Sequence, residues 1–374
     1  MTTIRRHDID WLRVIAIWLL LVYHIAIIFQ PWAMFIGFIR SDQTLESLWK
    51  LMSLLNVWRI PLLFYISGMG VYFAIRKRTW RELLLERSKR IFLPFIFGAI
   101  AIVPLQFLLF QGYYQLPLEY QAHPAHLWFL GNIFCYVLIF SPLFFFLKRI
   151  QQGSFNKALS RFMSYPVGPL SVSIFFMLET ILVKPLTFEL YAQTWHGFFL
   201  GLLAFFFGFL FMYSGSACWK TMLHWRWLYL VIGIILYGIR LVVFNLKAPD
   251  YLMALESNSW ILAIFGFGYK YLNKPGAVLS YLSQAAYPIY IIHMFVMYAV
   301  AMIILPIDIP VILKLIAIIG FTIVLCYGLY ELFIRRFTLL GPLFGLKWRL
   351  STPNKQKNVP VLSYKRFLKK LKTN

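Results

Sequence analysis

The chain has 374 residues, 61% apolar and 19% aromatic, with only 13% charged against about a quarter in a soluble globular protein. A water-soluble bundle of this size needs helices with a polar face, and most apolar segments here have none, so a soluble enzyme is excluded and lipid is the solvent. The formal net charge of +23 does not mark a nucleic-acid-binding protein, because the basic residues gather between apolar runs and no nucleic-acid motif accompanies them.

Runs long enough to cross a bilayer recur at residues 11–29, 51–75, 91–111, 127–147, 167–183, 197–213, 227–246, 253–272, 282–305 and 311–334. The predicted fold class is therefore all-α, a polytopic membrane bundle of about ten transmembrane helices. The first run has no small-residue cleavage site behind it and reads as a retained span. With a cytoplasmic N-terminus, 29 Lys and Arg residues fall on the cytoplasmic side and only four (Arg40, Lys50, Lys184 and Lys247) in external loops. Positive charge stays inside, so both termini are expected in the cytoplasm. No internal repeat divides residues 1–350, read as one membrane-embedded domain. In the basic tail, 351–374, Tyr364, Phe367, Leu368 and Leu371 recur at helical spacing among lysines, the pattern of an amphipathic helix on anionic headgroups; a solvated polar tail is the competing reading. Cys135, Cys218 and Cys326 have neither metal-site nor disulfide-framework spacing, and no metal is expected.

Ionisable groups inside a bilayer cost several kcal/mol, which makes the few present informative. In the first span Asp10, Arg13 and His24 share one helical face, since eleven steps of about 100° return to within ~20° of three full turns. Arg13 and His24 then lie roughly 16 Å apart along that face: arginine at the cytoplasmic mouth, histidine deep. That separation suits a ligand with an anionic head and a long thin arm, such as a coenzyme A thioester. His293, in Tyr287-Pro-Ile-Tyr290-Ile-Ile-His293, reaches a similar depth, as does Arg59 in Trp58-Arg59-Ile-Pro. The coincidence points to a polar chamber, although Arg59 alone could snorkel outward and His24 alone could be a satisfied core histidine. Arg87 and Arg90 share a face at the cytoplasmic start of the third span, where paired arginines suit phosphate. Glu331 stands four residues before Arg335, the spacing of a helical ion pair. His126, Trp128 and His196 mark the outer ends of the fourth and sixth spans, where tryptophan commonly anchors at the interface.

Taken in order, Asp10-Trp-Leu-Arg13 with His24, Trp58-Arg59-Ile-Pro-Leu-Leu-Phe-Tyr-Ile-Ser67-Gly68, Arg87-x-x-Arg90, His126-Leu-Trp128-Phe-Leu and Tyr287-Pro-Ile-Tyr290-Ile-Ile-His293 resemble the motifs of the acyltransferase-3 membrane acyltransferases. The wording around Trp58 and the stretch from Tyr330-Glu331 to Lys347 look most like the glucan biosynthesis protein C branch, associated with glucan succinylation. Trp11 departs from the glycine of many members, and the fused hydrolase-like domain of some members is not expected here.

The resemblance implies that His24 is the essential first-span histidine, Arg13 its companion, and Arg87 with Arg90 the arginine pair linked to acyl-CoA. The expected activity is transfer of an acetyl or succinyl group from cytoplasmic acyl-CoA, a co-substrate rather than a resident cofactor, to a hydroxyl of an extracytoplasmic envelope glycan across the inner membrane. His24 and His293 are the catalytic candidates, either as general base or as transient acyl carrier. Arg59 is a candidate for oxyanion stabilisation, and Asp10, Trp128, Tyr290 and Glu331 for support or substrate orientation. A secondary transporter or flippase for an acylated or anionic metabolite is the main alternative, and a lipid-binding scaffold a further one.

Overall fold

The computed structural model describes residues 5–346. Among these the regular structure is entirely helical. Besides the single turns Ala33–Ile36 and Leu340–Leu343, the helices in chain order are α1 His7–Ile28, α2 Leu48–Ile75, α3 Trp80–Tyr113, α4 Ala125–Arg149, α5 Ser154–Phe162, α6 Val167–Val183, α7 Trp195–Tyr213, α8 Ser216–His224, α9 Arg226–Val242, α10 Asp250–Tyr271, α11 Ala277–Ile304 and α12 Val311–Ile334. Seven of them (α1, α2, α3, α4, α7, α11 and α12) are long and apolar enough to cross a membrane, and the bent pairs α5–α6 and α8–α9, broken by 97° and 61°, bring the number to nine. The remaining predicted span, 253–272, forms the 22-residue α10 but does not reach the same apolarity, because Glu256, Ser257, Asn258 and Ser259 lie in its middle, all buried. The proposed tail helix lies outside the described residues.

Helix α3 begins eleven residues before its predicted apolar run. Thr79 explains where: its Oγ accepts from Glu82 N at 3.4 Å and Glu82 Oε2 accepts from Thr79 N at 2.8 Å, a reciprocal cap that starts a helix in polar sequence. Two π-helical turns, Ser88–Phe92 and Gly98–Ile102, interrupt it. Leu93 N and Val103 N reach back five residues, to Ser88 O and Gly98 O, immediately before Pro94 and Pro104, which have no N–H to continue the α ladder. The wider turns also rotate the helix face on which Arg90 stands.

Tight helix contacts hold the centre of the bundle. Gly68 on α2 and Gly208 on α7 let the two backbones meet directly: a Cβ at either would lie 1.9 Å from Phe205 O or 2.0 Å from Tyr65 O. Small residues allow this approach in a membrane, where lipid removes most of the hydrophobic drive between helices. Tyr65 OH then donates to Asn258 Oδ1 at 2.6 Å, tying α2 to the polar middle of α10.

A buried ionic knot closes the far side. Arg240 of α9 pairs with Glu256 of α10 at 2.8 and 3.0 Å, with Glu189 of the α6–α7 connection at 3.4 Å, and donates to Ser53 O of α2 at 3.2 Å. Removing one partner of such a knot leaves an uncompensated charge, at a cost of about 3–5 kcal/mol. Arg240→Met is accordingly expected to lower the melting temperature in detergent strongly, and adding Glu256→Leu to recover part of the loss. A single variant that melts like the wild type would show that the knot carries no stability.

Candidate active site

Three helices each present a stripe of residues to one cavity of about 750 Å³. On α1 the stripe is Arg13 and Ile17; on α2 it is Val71, Gly70, Ser67 and Leu63; on α11 it is Ser283, Tyr287 and Tyr290. Residues three, four and seven apart share a helical face. Continued inward by one or two turns, the stripes arrive at His24 on α1, Arg59 on α2 and His293 on α11. None of those three lines the cavity itself; they stand beyond its inner end, past Tyr290 and Phe129. Arg13, Arg87, Arg90 and Arg335 line its walls toward the other end.

At the inner end the two imidazoles touch. His24 Nδ1 lies 2.9 Å from His293 Nε2, with the rings parallel within 6° and their centroids 5.2 Å apart, an edge-to-edge arrangement in one plane rather than a face-to-face stack. His293 Nδ1 lies 2.7 Å from Tyr290 O. A carbonyl oxygen only accepts, so His293 Nδ1 carries a proton; in the neutral ring Nε2 is then an acceptor, and His24 Nδ1–H must donate to it. The chain of bonds therefore fixes His24 with a free lone pair on Nε2, the tautomer a general base requires. His293 is 1% exposed, whereas His24 is half-buried and packs against Phe38 of the α1–α2 connection at 5.7 Å.

Arg59 does not snorkel. It is 1% exposed, with its guanidinium carbon 3.9 Å from the centre of the Tyr23 ring. Its hydrogen bonds are long: Nη2 to Asn56 Oδ1 at 3.3 Å and Nη1 to Leu19 O at 3.4 Å; Nε has no partner. Among the described residues no carboxylate pairs with it. A buried cation so loosely held, one residue from His24 through Tyr23, can receive negative charge that develops beside the histidines.

A third histidine joins the pair. His126, in the turn that opens α4, sets its ring 5.1 Å from that of His293 at 83°. Its Nε2 donates to Ile291 O at 3.2 Å, its carbonyl accepts a short hydrogen bond from Tyr290 OH, and its Nδ1 has no partner. The sequence places His126 at a helix end and in the motif His126-Leu-Trp128, without showing its contact with His293. Trp128 itself packs edge-on against Phe64 at 6.0 Å and is separated from the histidines by Phe129 and Tyr290.

At the arginine end Asp10 bonds Arg5 at 3.0 and 2.9 Å and lies 3.6 Å from Arg13. Glu331 pairs with Arg335 at 2.8 and 3.0 Å, so it stands beside the cavity as the counter-ion of one of its arginines. Arg87 Nη2 donates to Gly70 O at 3.4 Å. Glu86, which the sequence did not single out, sits among Arg78, Arg87 and Arg90. Among the described residues no three His, Cys, Asp or Glu side chains are arranged to hold a metal ion.

The described residues thus form a helical membrane bundle whose cavity has cationic walls toward one end and a hydrogen-bonded histidine pair beyond the other. The chain belongs to the acyltransferase-3 family, whose Acyltransferase domain matches residues 6–331. No curated protein and no solved structure matches it significantly.

Proposed function

We propose that this chain is an integral membrane O-acyltransferase that takes an acetyl or succinyl group from cytoplasmic acyl-CoA and passes it to a hydroxyl of an extracytoplasmic envelope glycan. In this reading the membrane is the inner one and both termini are cytoplasmic. The observation that carries the reading is the convergence of three cavity stripes, lined with arginine toward one end, on the His24–His293 pair. Arg87, Arg90 and Arg13 hold the phosphates, the pantetheine arm follows the cavity inward to Phe129 and Tyr290, and displacement of these two side chains brings the thioester to the histidines.

His24 Nε2 then removes the proton from the acceptor hydroxyl, whose oxygen attacks the thioester carbonyl. The tetrahedral oxyanion forms near Arg59, the C–S bond breaks, and the coenzyme A thiolate takes up the proton and leaves as a thiol. Transfer through an acyl-histidine uses the same residues in two steps. A rapid denaturing quench at neutral pH of the purified protein with radiolabelled acyl-CoA and no acceptor separates the routes, since only the two-step route labels the protein, and an N-acylimidazole label is then lost on acidification.

The reading is tested with protein in detergent, without a sealed compartment, where acyl transfer to a glycan should persist; a transporter would show none. Arg87→Ala and Arg90→Ala are each expected to raise the donor KM about tenfold, the size of one lost charge-assisted contact, with little change in kcat. An unchanged KM would remove acyl-CoA phosphates from this cavity. Mass spectrometry of envelope glycans from deletion and His24→Ala strains reports the acyl group and its acceptor.

A further inference from the structure

The carboxylate of Glu86 is surrounded by guanidinium groups and bonded well by none of them. Arg90 Nη1 lies 3.1 Å from its Oε1, Arg87 Nε lies 3.3 Å from its Oε2, and Arg78 Nη2 lies 3.9 Å from its Oε1. None of the three contacts has hydrogen-bond alignment: Glu86 Oε2 and Arg87 Nε are both buried without a hydrogen-bond partner. Elsewhere the chain aligns its ion pairs, as in Arg240–Glu256 at 2.8 and 3.0 Å, Arg335–Glu331 at 2.8 and 3.0 Å and Arg6–Asp8 at 2.8 and 2.5 Å. Glu86 is thus held by charge alone. It keeps three like charges together at the mouth of the cavity, and little directional bonding is lost when it leaves.

Its position explains why. Arg87 and Arg90 line the cavity, and the π-helical turn from Ser88 to Phe92 sets the face Arg90 presents. The other two cavity arginines already have aligned or shared acidic partners, Arg335 through Glu331 and Arg13 through Asp10. Around Glu86, by contrast, two cavity arginines and Arg78 share one carboxylate with no aligned bond to it. A phosphate offers tetrahedrally disposed oxygens and can bond two guanidinium groups in line, which one carboxylate between three arginines does not achieve.

We propose that Glu86 is a resident counter-ion, a stand-in for a phosphate or diphosphate group that displaces it when the anionic ligand enters. The ligand class, a polyphosphorylated donor such as acyl-CoA, rests on the function proposed above; the displacement itself does not. Glu86 sets the affinity of the site and eases release of the spent donor, because its carboxylate returns as the phosphate departs.

The test is equilibrium binding of two probes, coenzyme A and inorganic pyrophosphate, to detergent-purified wild type, Glu86→Gln and Glu86→Ala. Glu46→Gln, which changes net charge equally at an exposed position in the α1–α2 connection, is the control. Both Glu86 variants are expected to bind pyrophosphate about two- to fivefold more tightly than wild type, the range for removing one loosely bonded competitor, and Glu46→Gln to change nothing. Pyrophosphate binding that is undetectable throughout, unchanged or weaker in the Glu86 variants overturns the inference. Tighter pyrophosphate binding with no binding of coenzyme A leaves the inference standing and removes the acyl-CoA reading instead.

Discussion

His24→Ala is expected to lower kcat for acyl transfer by about 10²–10⁴-fold, the usual contribution of a positioned general base, while leaving the donor KM nearly unchanged. The separation follows from geometry: His24 stands roughly 16 Å along α1 from Arg13 and does not line the arginine-walled cavity. His293 gives the sharper test, because its role depends on one bond pattern, Tyr290 O to His293 Nδ1 and His293 Nε2 to His24 Nδ1. His293→Ala removes the acceptor that fixes the His24 tautomer, so kcat should fall, though less than in His24→Ala. Glutamine at 293 can restore the pattern, its amide oxygen accepting from His24 and its amide nitrogen donating to Tyr290 O, and should recover a measurable part of the loss. Steady-state kinetics in detergent with labelled donor decide the matter. His24→Ala within tenfold of wild type would exclude the general base, and His293→Gln no better than His293→Ala would exclude the relay.

The sequence made the depth of these residues legible but not their azimuth around each helix axis. Counting residues from span ends put His24, His293 and Arg59 at one level, since rise per residue is fixed. Their mutual contact depends on how α1, α2 and α11 rotate against each other, and that is set by packing among residues nearly all apolar. The same uniformity hid Tyr23 under the Arg59 guanidinium, one aromatic ring among many. Local spacing was readable: Glu331 and Arg335 pair as i, i+4 neighbours should. Glu86 has that spacing to Arg90 too, but three arginines compete for it, and spacing alone does not say which of them it answers. Helix α5 falls between two predicted spans: Phe155, Leu159 and Phe162 recur at i, i+4 and i+7 beside Lys157 and Arg161, an amphipathic signal too short to count among runs of about twenty residues. The break after it, at Ser164-Tyr165-Pro166, is where proline removes a donor and turns the chain by 97°.

Gly68→Ala is expected to be among the most destabilising single-methyl changes in the chain. The new Cβ would lie 1.9 Å from Phe205 O and 2.8 Å from Phe205 C, distances at which backbone must move, because a helix carbonyl cannot rotate away as a flexible side chain could. Overpacking against side chains typically costs about 1–3 kcal/mol; a clash between two backbones has no rotamer to relieve it and should exceed that range. Separation of α2 from α7 would also move the wall that carries Leu63, Ser67 and Gly70 and with it Arg59, so activity should fall alongside stability. Gly208→Ala, which meets Tyr65 O at 2.0 Å on the reciprocal side of the same contact, should behave alike. Gly238→Ala on α9 is the counterpart: its Cβ meets nothing within 4 Å, and alanine favours a helix over glycine by about 1 kcal/mol, so that variant should melt at or above the wild-type temperature. Thermal unfolding in detergent followed by size-exclusion chromatography compares the three. A Gly68→Ala protein that melts with the wild type would mean that α2 and α7 do not meet backbone to backbone, and the position of Arg59 beside the histidines would lose its support.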